Sequence, residues 1–427
     1  MSLPRLLYTF VLALLLPLVF LRLAWRGRRQ PEYLRHVAER FGFHGANRAD
    51  SRPLIWLHAV SVGETRAAAP LVDALLQEYP DHRLLLTHMT PTGRATGREL
   101  FGERVRQAYL PYDYPFAVRR FLRRFRPVAG LLLETELWPN LIAACQESRL
   151  PLLLVNARLS EKSARRYARF PRLTAECLKG LAAVAAQTEA DATRLAALGA
   201  TTYTVAGNLK FDIPPPAAML QKGKELRALF GENRPVLLLA STRDGEEAML
   251  LEALSKLPPP AEEGKRNFLT VLVPRHPQRF DDVARLLDER GIPYQRRSVN
   301  QPVAAGARVV LGDSMGEMFA YYAACDVAFV GGSLLPFGGQ NLIEPCSVGV
   351  PVLIGPHTFN FAQASELAVA DGAAERVATA EELIEKAEAL LADPARRTAM
   401  GEAGKAFAER HRGATRRIME LLRPFLG

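Results

Sequence analysis

Glu64 is a lone acid between an apolar run, Ile55 to Leu57, and a helix-forming stretch that begins at Thr65. Ser61-Val62-Gly63-Glu64 fits the S-x-x-E capping box, in which Ser61 caps the amide of Glu64 and Glu64 reaches back. A first-turn acid also suits the helix dipole. Yet ligands in open α/β sheets bind outside the carboxyl ends of strands, where this residue would stand. On this segment alone a cap is the stronger reading and a proton acceptor the alternative.

Other stretches can also carry chemistry. GLLLETELWPN (130–140) ends an apolar run with Glu134 and Glu136. Strand alternation would put both on one face, a spacing that can invite a metal. With no D-x-D pair and no nearby histidine, no metal site is predicted. Lys210, in GNLKFD, can offset negative charge in a cleft or stand as a solvated lysine. In residues 331–361 Gly331-Gly332 follows a strand and Gly338-Gly339 precedes Gln340-Asn341-Leu342-Ile343-Glu344. Glycines let backbone amides approach a phosphate, and Glu344 in a first turn can accept from ribose hydroxyls. The alternative is ordinary turns and a dipole-suited acid. The pattern is not G-x-G-x-x-G, which disfavours a dinucleotide. Pro274-Arg275-His276 lies past another strand, where Arg275 can pair with phosphate or belong to a solvated loop. Met315-Gly316-Glu317 can line a base pocket through backbone groups, although core packing of Met315 is the stronger reading alone.

These residues need a frame that brings strand ends together. Apolar runs at 54–60, 83–89, 106–112, 128–134, 151–157, 181–187 and 202–208 alternate with helical stretches. The same rhythm restarts at 235–241 and continues at 268–274, 307–312, 327–332 and 350–355. This is the βαβ pattern of parallel doubly wound sheets, twice over. Pro214-Pro215-Pro216 between the series excludes helix and central strand and marks a hinge. Helices close the chain.

At 427 residues, with 48% hydrophobic and 23% charged residues, the chain accommodates two globular domains. Its net charge of +10 points to an anionic partner: nucleic acid, anionic lipid or a phosphorylated small molecule. Cys145, Cys177, Cys325 and Cys346 form no C-x-x-C pair, which argues against zinc and disulfides and suits a reducing compartment. Leu6 to Leu21 is uncharged, contains Pro17, and is followed by Arg22, Arg26, Arg28 and Arg29. This predicts a single membrane anchor with the remainder cytoplasmic; an interfacial helix is the second reading. The basic segments 119–126 and 156–172 interleave arginine with aromatic and aliphatic residues, suggesting contact with anionic lipid. Solvated helix faces are the plainer reading of each. The anchor, and the lack of any nucleic-acid-binding signature, lower nucleic acid as a partner.

HAVSVGE, ETELWPN, NARLSEKS, GNLKFD, PRHPQRF, GDSMGEM, GGQNLIEP and GPHTFNF occur in this order, after Arg35, Arg40 and Gly42. The set resembles the family of 3-deoxy-D-manno-octulosonic acid (Kdo) transferases, which add Kdo to the lipid A precursor of lipopolysaccharide, and it covers nearly the whole chain. The resemblance implies an α/β fold of two Rossmann-like domains facing a cleft, the GT-B glycosyltransferase fold. With the segments above, this divides the chain into an anchor with basic flank (1–29), an acceptor domain (30–210), a proline linker (211–230), a donor domain (231–405) and a C-terminal helix (406–427). It implies a CMP-Kdo donor, a lipid A precursor acceptor, an anionic inner-membrane surface as partner, and no cofactor. By similarity, Glu64 accepts the proton, while Glu134 and Lys210 stabilise the transition state. Pro274, Arg275, Met315, Gly316, Glu317, Asn341, Leu342, Ile343 and Glu344 would bind CMP. The chain departs from the family pattern at Ala240, at Arg243 and at Gln340. In this context catalysis becomes the favoured role of Glu64, with capping retained. A membrane-tethered binding protein without turnover, or more weakly a Rossmann oxidoreductase, stands as the rival reading.

Overall fold

The structure, a computed structural model, describes residues 2–45, 51–256 and 268–426. Met1 and Gly427, the outer ends of the first and last expected segments, lie outside these. The chain divides into two compact units, Met1–Ile213 with Arg412–Gly427, and Pro214–His411.

The first unit is built on β1 (Leu54–His58), β2 (Arg83–His88), β3 (Arg106–Tyr109), β4 (Ala129–Leu133), β5 (Leu152–Ala157), β6 (Ala183–Ala186) and β7 (Tyr203–Val205). All pair in parallel, in the order β3-β2-β1-β4-β5-β6-β7. Strands covered on both faces read as continuous apolar runs, and β1, β4 and β5 are buried end to end. One face packs Trp56 and Leu154 against Phe121 and Leu178. The other packs Leu57 and Val155 against Leu71, Ile418 and Leu422. The last two belong to the closing helix Ala414–Leu426, so the C-terminus completes the first unit's core.

The second unit holds β8 (Val236–Thr242), β9 (Leu269–Pro274), β10 (Tyr294–Arg296), β11 (Val309–Leu311), β12 (Val327–Val330), β13 (Val352–Ile354) and β14 (Ala374–Arg376). These are again all parallel, in the order β10-β11-β9-β8-β12-β13-β14. All expected strands are present in both sheets. β10 and β14 are additional. They are short edge strands of mixed composition, which carry no apolar run to signal them.

Two expected segments differ. The linker does not extend to residue 230: after the prolines, Ala217–Phe230 is a helix that buries Leu226 and Phe230 in the second unit's core. That unit also runs on to His411, because Pro394–Arg410 is a helix that buries Phe407 and Ala408.

The N-terminal apolar run is not one straight helix. It forms α1 (Leu3–Leu14) and α2 (Leu16–Arg29), bent by 50° where Pro17 enters. Among the described residues no single helix is long and apolar enough to cross a membrane, and this pair passes only jointly. Polar contacts fasten α1 to the first unit. Arg5 Nη2 donates to Glu147 (3.3 Å), Thr9 to Asn140 (3.1 Å), Ser2 to Glu176, and the Tyr114 hydroxyl to Leu12 O (3.0 Å). Leu3, Leu7, Phe10 and Leu14 stay exposed.

Candidate active site

Glu64 sits in the first turn of the helix Val62–Ala67, just past the carboxyl end of β1, and is buried with 8% exposure. The cap is real. The Ser61 hydroxyl accepts from the Glu64 amide (3.5 Å), and Ser61 Oγ donates back to Glu64 Oε1 (2.9 Å). Oε2 accepts from the Val60 amide (2.7 Å), one residue earlier than a capping box requires. The carboxylate is thus held at both oxygens, and each keeps a lone pair for another proton. Burial and the charge of Glu134 push its pKa up to about 7, against the pull of Val60, Ser61 and Lys210.

The turn beneath is stiffened by neutral histidines. His58 and His88 are driven down to about 3 and about 4 by burial. His88 Nδ1 donates to Ala59 O (3.0 Å), and Thr90 Oγ1 donates to Val60 O (3.1 Å).

Glu134 and Glu136 join Glu64, by a different route from strand alternation. β4 ends at Leu133, and Glu134 takes a left-handed backbone, with φ of 58°. Such strain in a non-glycine residue persists only where its surroundings hold it, here with the Glu134 amide donating to Val155 O (3.0 Å). Glu136 is raised to about 7 by burial and by the charges of Glu64 and Glu134. Lys210 supplies the opposing charge at Glu64. Its position is set by two asparagines: Asn208 Oδ1 accepts from the Lys210 amide (3.0 Å), and Asn156 Oδ1 accepts from Leu209 (3.1 Å). Asn156 is fully buried with φ of 52°. Sequence reasoning passed over both asparagines, although for Asn156 the tolerance of Asn for the left-handed region was a usable signal.

In the second unit, the expected donor residues lie past the carboxyl ends of β9, β11 and β12. Pro274 closes β9 and is buried, while Arg275 is exposed. Arg275 and Glu344 both bear electrostatically on the buried Tyr322, so these two converge around one helix. Met315 and Gly316 are exposed rather than packed in the core. The Glu317 carboxylate is engaged by Lys222, by Arg297 Nε (3.5 Å) and by Ser314 Oγ (2.6 Å). Asn341 donates to Glu344 Oε1 (3.0 Å) and accepts from the Ile343 amide (3.2 Å). Leu342 and Ile343 are buried, which confines any ligand contact there to backbone.

The glycine pairs do not offer a ring of waiting amides. Glu246, wholly buried, accepts from Gly332 (2.6 Å), Ser333 (3.0 Å), Leu334 (2.9 Å) and Arg243 (2.9 Å). The amides of Gly331, Gly339 and Gln340 donate to carbonyls. Packing explains the glycines instead, since a Cβ at Gly331 would lie 2.8 Å from Ser241 O, and one at Gly338 2.4 Å from Phe359. Sequence reasoning missed Glu246. Among the described residues, no three metal-ligating side chains form a coordination set.

A family model described as 3-deoxy-D-manno-octulosonic-acid transferase (kdotransferase) matches residues 35–213. The chain is 48% identical to the 3-deoxy-D-manno-octulosonic acid transferase of Bordetella pertussis, over 98% of this chain and 99% of that protein. It is 38% identical to the transferase of that name from Haemophilus influenzae, over 99% of each. Among solved structures, a glycosyltransferase from Rickettsia africae superposes with a TM-score of 0.61 at 16% identity, over 88% of this chain and 99% of that one. That likeness concerns the fold alone, and it is of the GT-B kind.

Proposed function

Because the chain belongs to the family of 3-deoxy-D-manno-octulosonic acid (Kdo) transferases, we propose that it moves Kdo from CMP-Kdo to a hydroxyl of a lipid A precursor, with inversion. The observation that carries the mechanism is Glu64, a buried carboxylate at a strand end whose proton affinity is tuned to neutral pH. A general base works best with a pKa near the operating pH. In the proposed step the acceptor hydroxyl gives its proton to Glu64 as its oxygen attacks the anomeric carbon of Kdo. The new C–O bond forms as the bond to the CMP phosphate breaks, and the electron pair leaves on a phosphate oxygen. That leaving group is already stable as an anion, so no general acid is needed. Lys210 and Glu134 shape the field: the lysine favours the ionised base, the glutamate favours its protonated product.

CMP would be held in the second unit by Arg275, the Met315–Glu317 turn and Asn341–Glu344. Arg275 suits the phosphate. Glu317 would act through the turn that Lys222 and Arg297 hold rather than by a free carboxylate. We place the enzyme at the cytoplasmic face of the inner membrane, engaged through the bent pair α1 and α2, whose exposed leucines precede the arginines of residues 22–29. The bend and the polar fastening of α1 favour a helix pair seated in the interface over a straight span.

The test is to incubate detergent-solubilised protein with CMP-Kdo and tetra-acylated lipid A precursor and read product masses. Mass increments of one or more Kdo units are expected. No increment at any enzyme concentration would reject the reading.

A further inference from the structure

The first unit carries an open groove of about 660 Å³ alongside α1, separate from the carboxylate cluster but next to it in the chain. Its walls include Leu7 and Val11 of α1, Leu137, Tyr167, Phe170 and Leu173. Leu7 and Phe170 are 63% and 66% exposed, an apolar surface that a protein facing only water seldom keeps. α1 is held as one wall by the polar contacts of Ser2, Arg5 and Thr9 described above.

We propose that this groove receives an acyl chain of the lipid acceptor and so sets the head group against Glu64, Glu134 and Glu136. The inference rests on the transfer reading above and names how its acceptor is held. Three observations carry it. First, the groove adjoins the carboxylates: Leu137 directly follows Glu136, and the Glu136 charge reaches the Tyr167 hydroxyl in the groove wall. Second, the groove has a basic edge: Arg172 lines it, and Arg166 and Arg169 are exposed in the same stretch of chain, matching a phosphorylated head group. Third, the walls suit hydrocarbon and not peptide. The Thr174 hydroxyl is spent on Tyr167 O (3.0 Å) and the Tyr8 hydroxyl on Asp113. An entering backbone would leave its amides unpaired, whereas an acyl chain has none.

Filling the groove tests this. Val11→Trp and Leu173→Trp place bulk on its walls, and Leu7→Gln adds a polar group at an exposed wall position. Each full-length variant is assayed in detergent with CMP-Kdo and two acceptors, the tetra-acylated lipid A precursor and its fully deacylated disaccharide bisphosphate. Burial of a single methylene is worth about a fourfold change in affinity, so KM for the acylated acceptor should rise about tenfold or more in each variant. KM for the deacylated acceptor should stay within about twofold in the same assay. Equal losses on both acceptors, or no loss on the acylated one, would overturn the groove's role while leaving the transfer reading intact. Variants that lose affinity for phosphatidylglycerol vesicles yet keep the acylated KM would assign the groove to bulk lipid and overturn it too. A wild-type protein that transfers to neither acceptor would instead remove the reading on which the inference stands.

Discussion

Both units are seven-stranded parallel sheets that bury glutamates past their strand ends, and Glu246 in the second is treated in the opposite way from Glu64 in the first. In the second unit Glu246 is saturated by four backbone amides, and Glu317 is matched by a lysine and an arginine. In the first, Glu64 has two donors and stands among like charges, with Glu136 sharing its elevation. A carboxylate saturated by backbone amides holds loops in place. An under-compensated one is left able to exchange a proton near neutral pH. The contrast separates architecture from chemistry within one fold.

The sharpest way to break this contrast is Glu64→Gln. The Ser61 hydroxyl can turn from donor to acceptor, so glutamine keeps both local contacts but cannot take a proton. Turnover should fall about 10²- to 10⁴-fold with CMP affinity unchanged. Near-normal turnover in a steady-state assay would return Glu64 to the role of a cap. Glu246→Ala should show the reverse signature: four amides lose their acceptor, and unfolding in urea should show a loss of about 2–4 kcal/mol. Loss of activity without loss of stability would place Glu246 in the chemistry instead.

A smaller effect sharpens the comparison through pH. The folded pKa of Glu64, about 7, lies above the ordinary glutamate value of 4.5, so the folded state holds its proton longer than the unfolded chain. Wild-type stability therefore falls as pH rises from about 4.5 to about 7 and stays reduced above. Glu64→Gln removes that cost, and should be more stable than wild type by about 1–3 kcal/mol at pH 8, with little difference at pH 4.5. Equal melting curves at both pH values would contradict the burial argument. Ser61→Ala should have the least effect, costing about 1 kcal/mol through the lost cap, with turnover reduced less than in Glu64→Gln.

Much of this was legible in the sequence because both faces of each sheet are covered, so central strands announce themselves as apolar runs. β10 and β14 were not legible: Tyr294-Gln295-Arg296 and Ala374-Glu375-Arg376 pair along one edge only and need no such run. The capping pattern at Ser61–Glu64 could be read, but the bond to Val60 and the convergence of Glu134 and Glu136 could not. That convergence depends on a left-handed residue at the end of β4, and nothing in E-T-E marks one. The glycine pairs suggested waiting amides, whereas Glu246, in a distant turn, takes the Gly332 amide with those of Ser333 and Leu334, and the Gly331 and Gly339 amides go to carbonyls. Leu6 to Leu21 gave a membrane-directed signal, but Ser2, Arg5 and Thr9, whose contacts fasten α1 to the first unit, find partners more than a hundred residues away.

The central claim, that Glu64 accepts the proton at an affinity set by its burial and by the charge of Glu134, is tested most directly by the pH dependence of single-turnover rate. Wild-type protein and Glu134→Gln would be compared with saturating CMP-Kdo and acceptor. The wild-type rate should fall on the acid side with a midpoint near 7, and removing the Glu134 charge should move that midpoint to lower pH. A wild-type profile flat across this range, or a midpoint that Glu134→Gln leaves in place, would contradict the account.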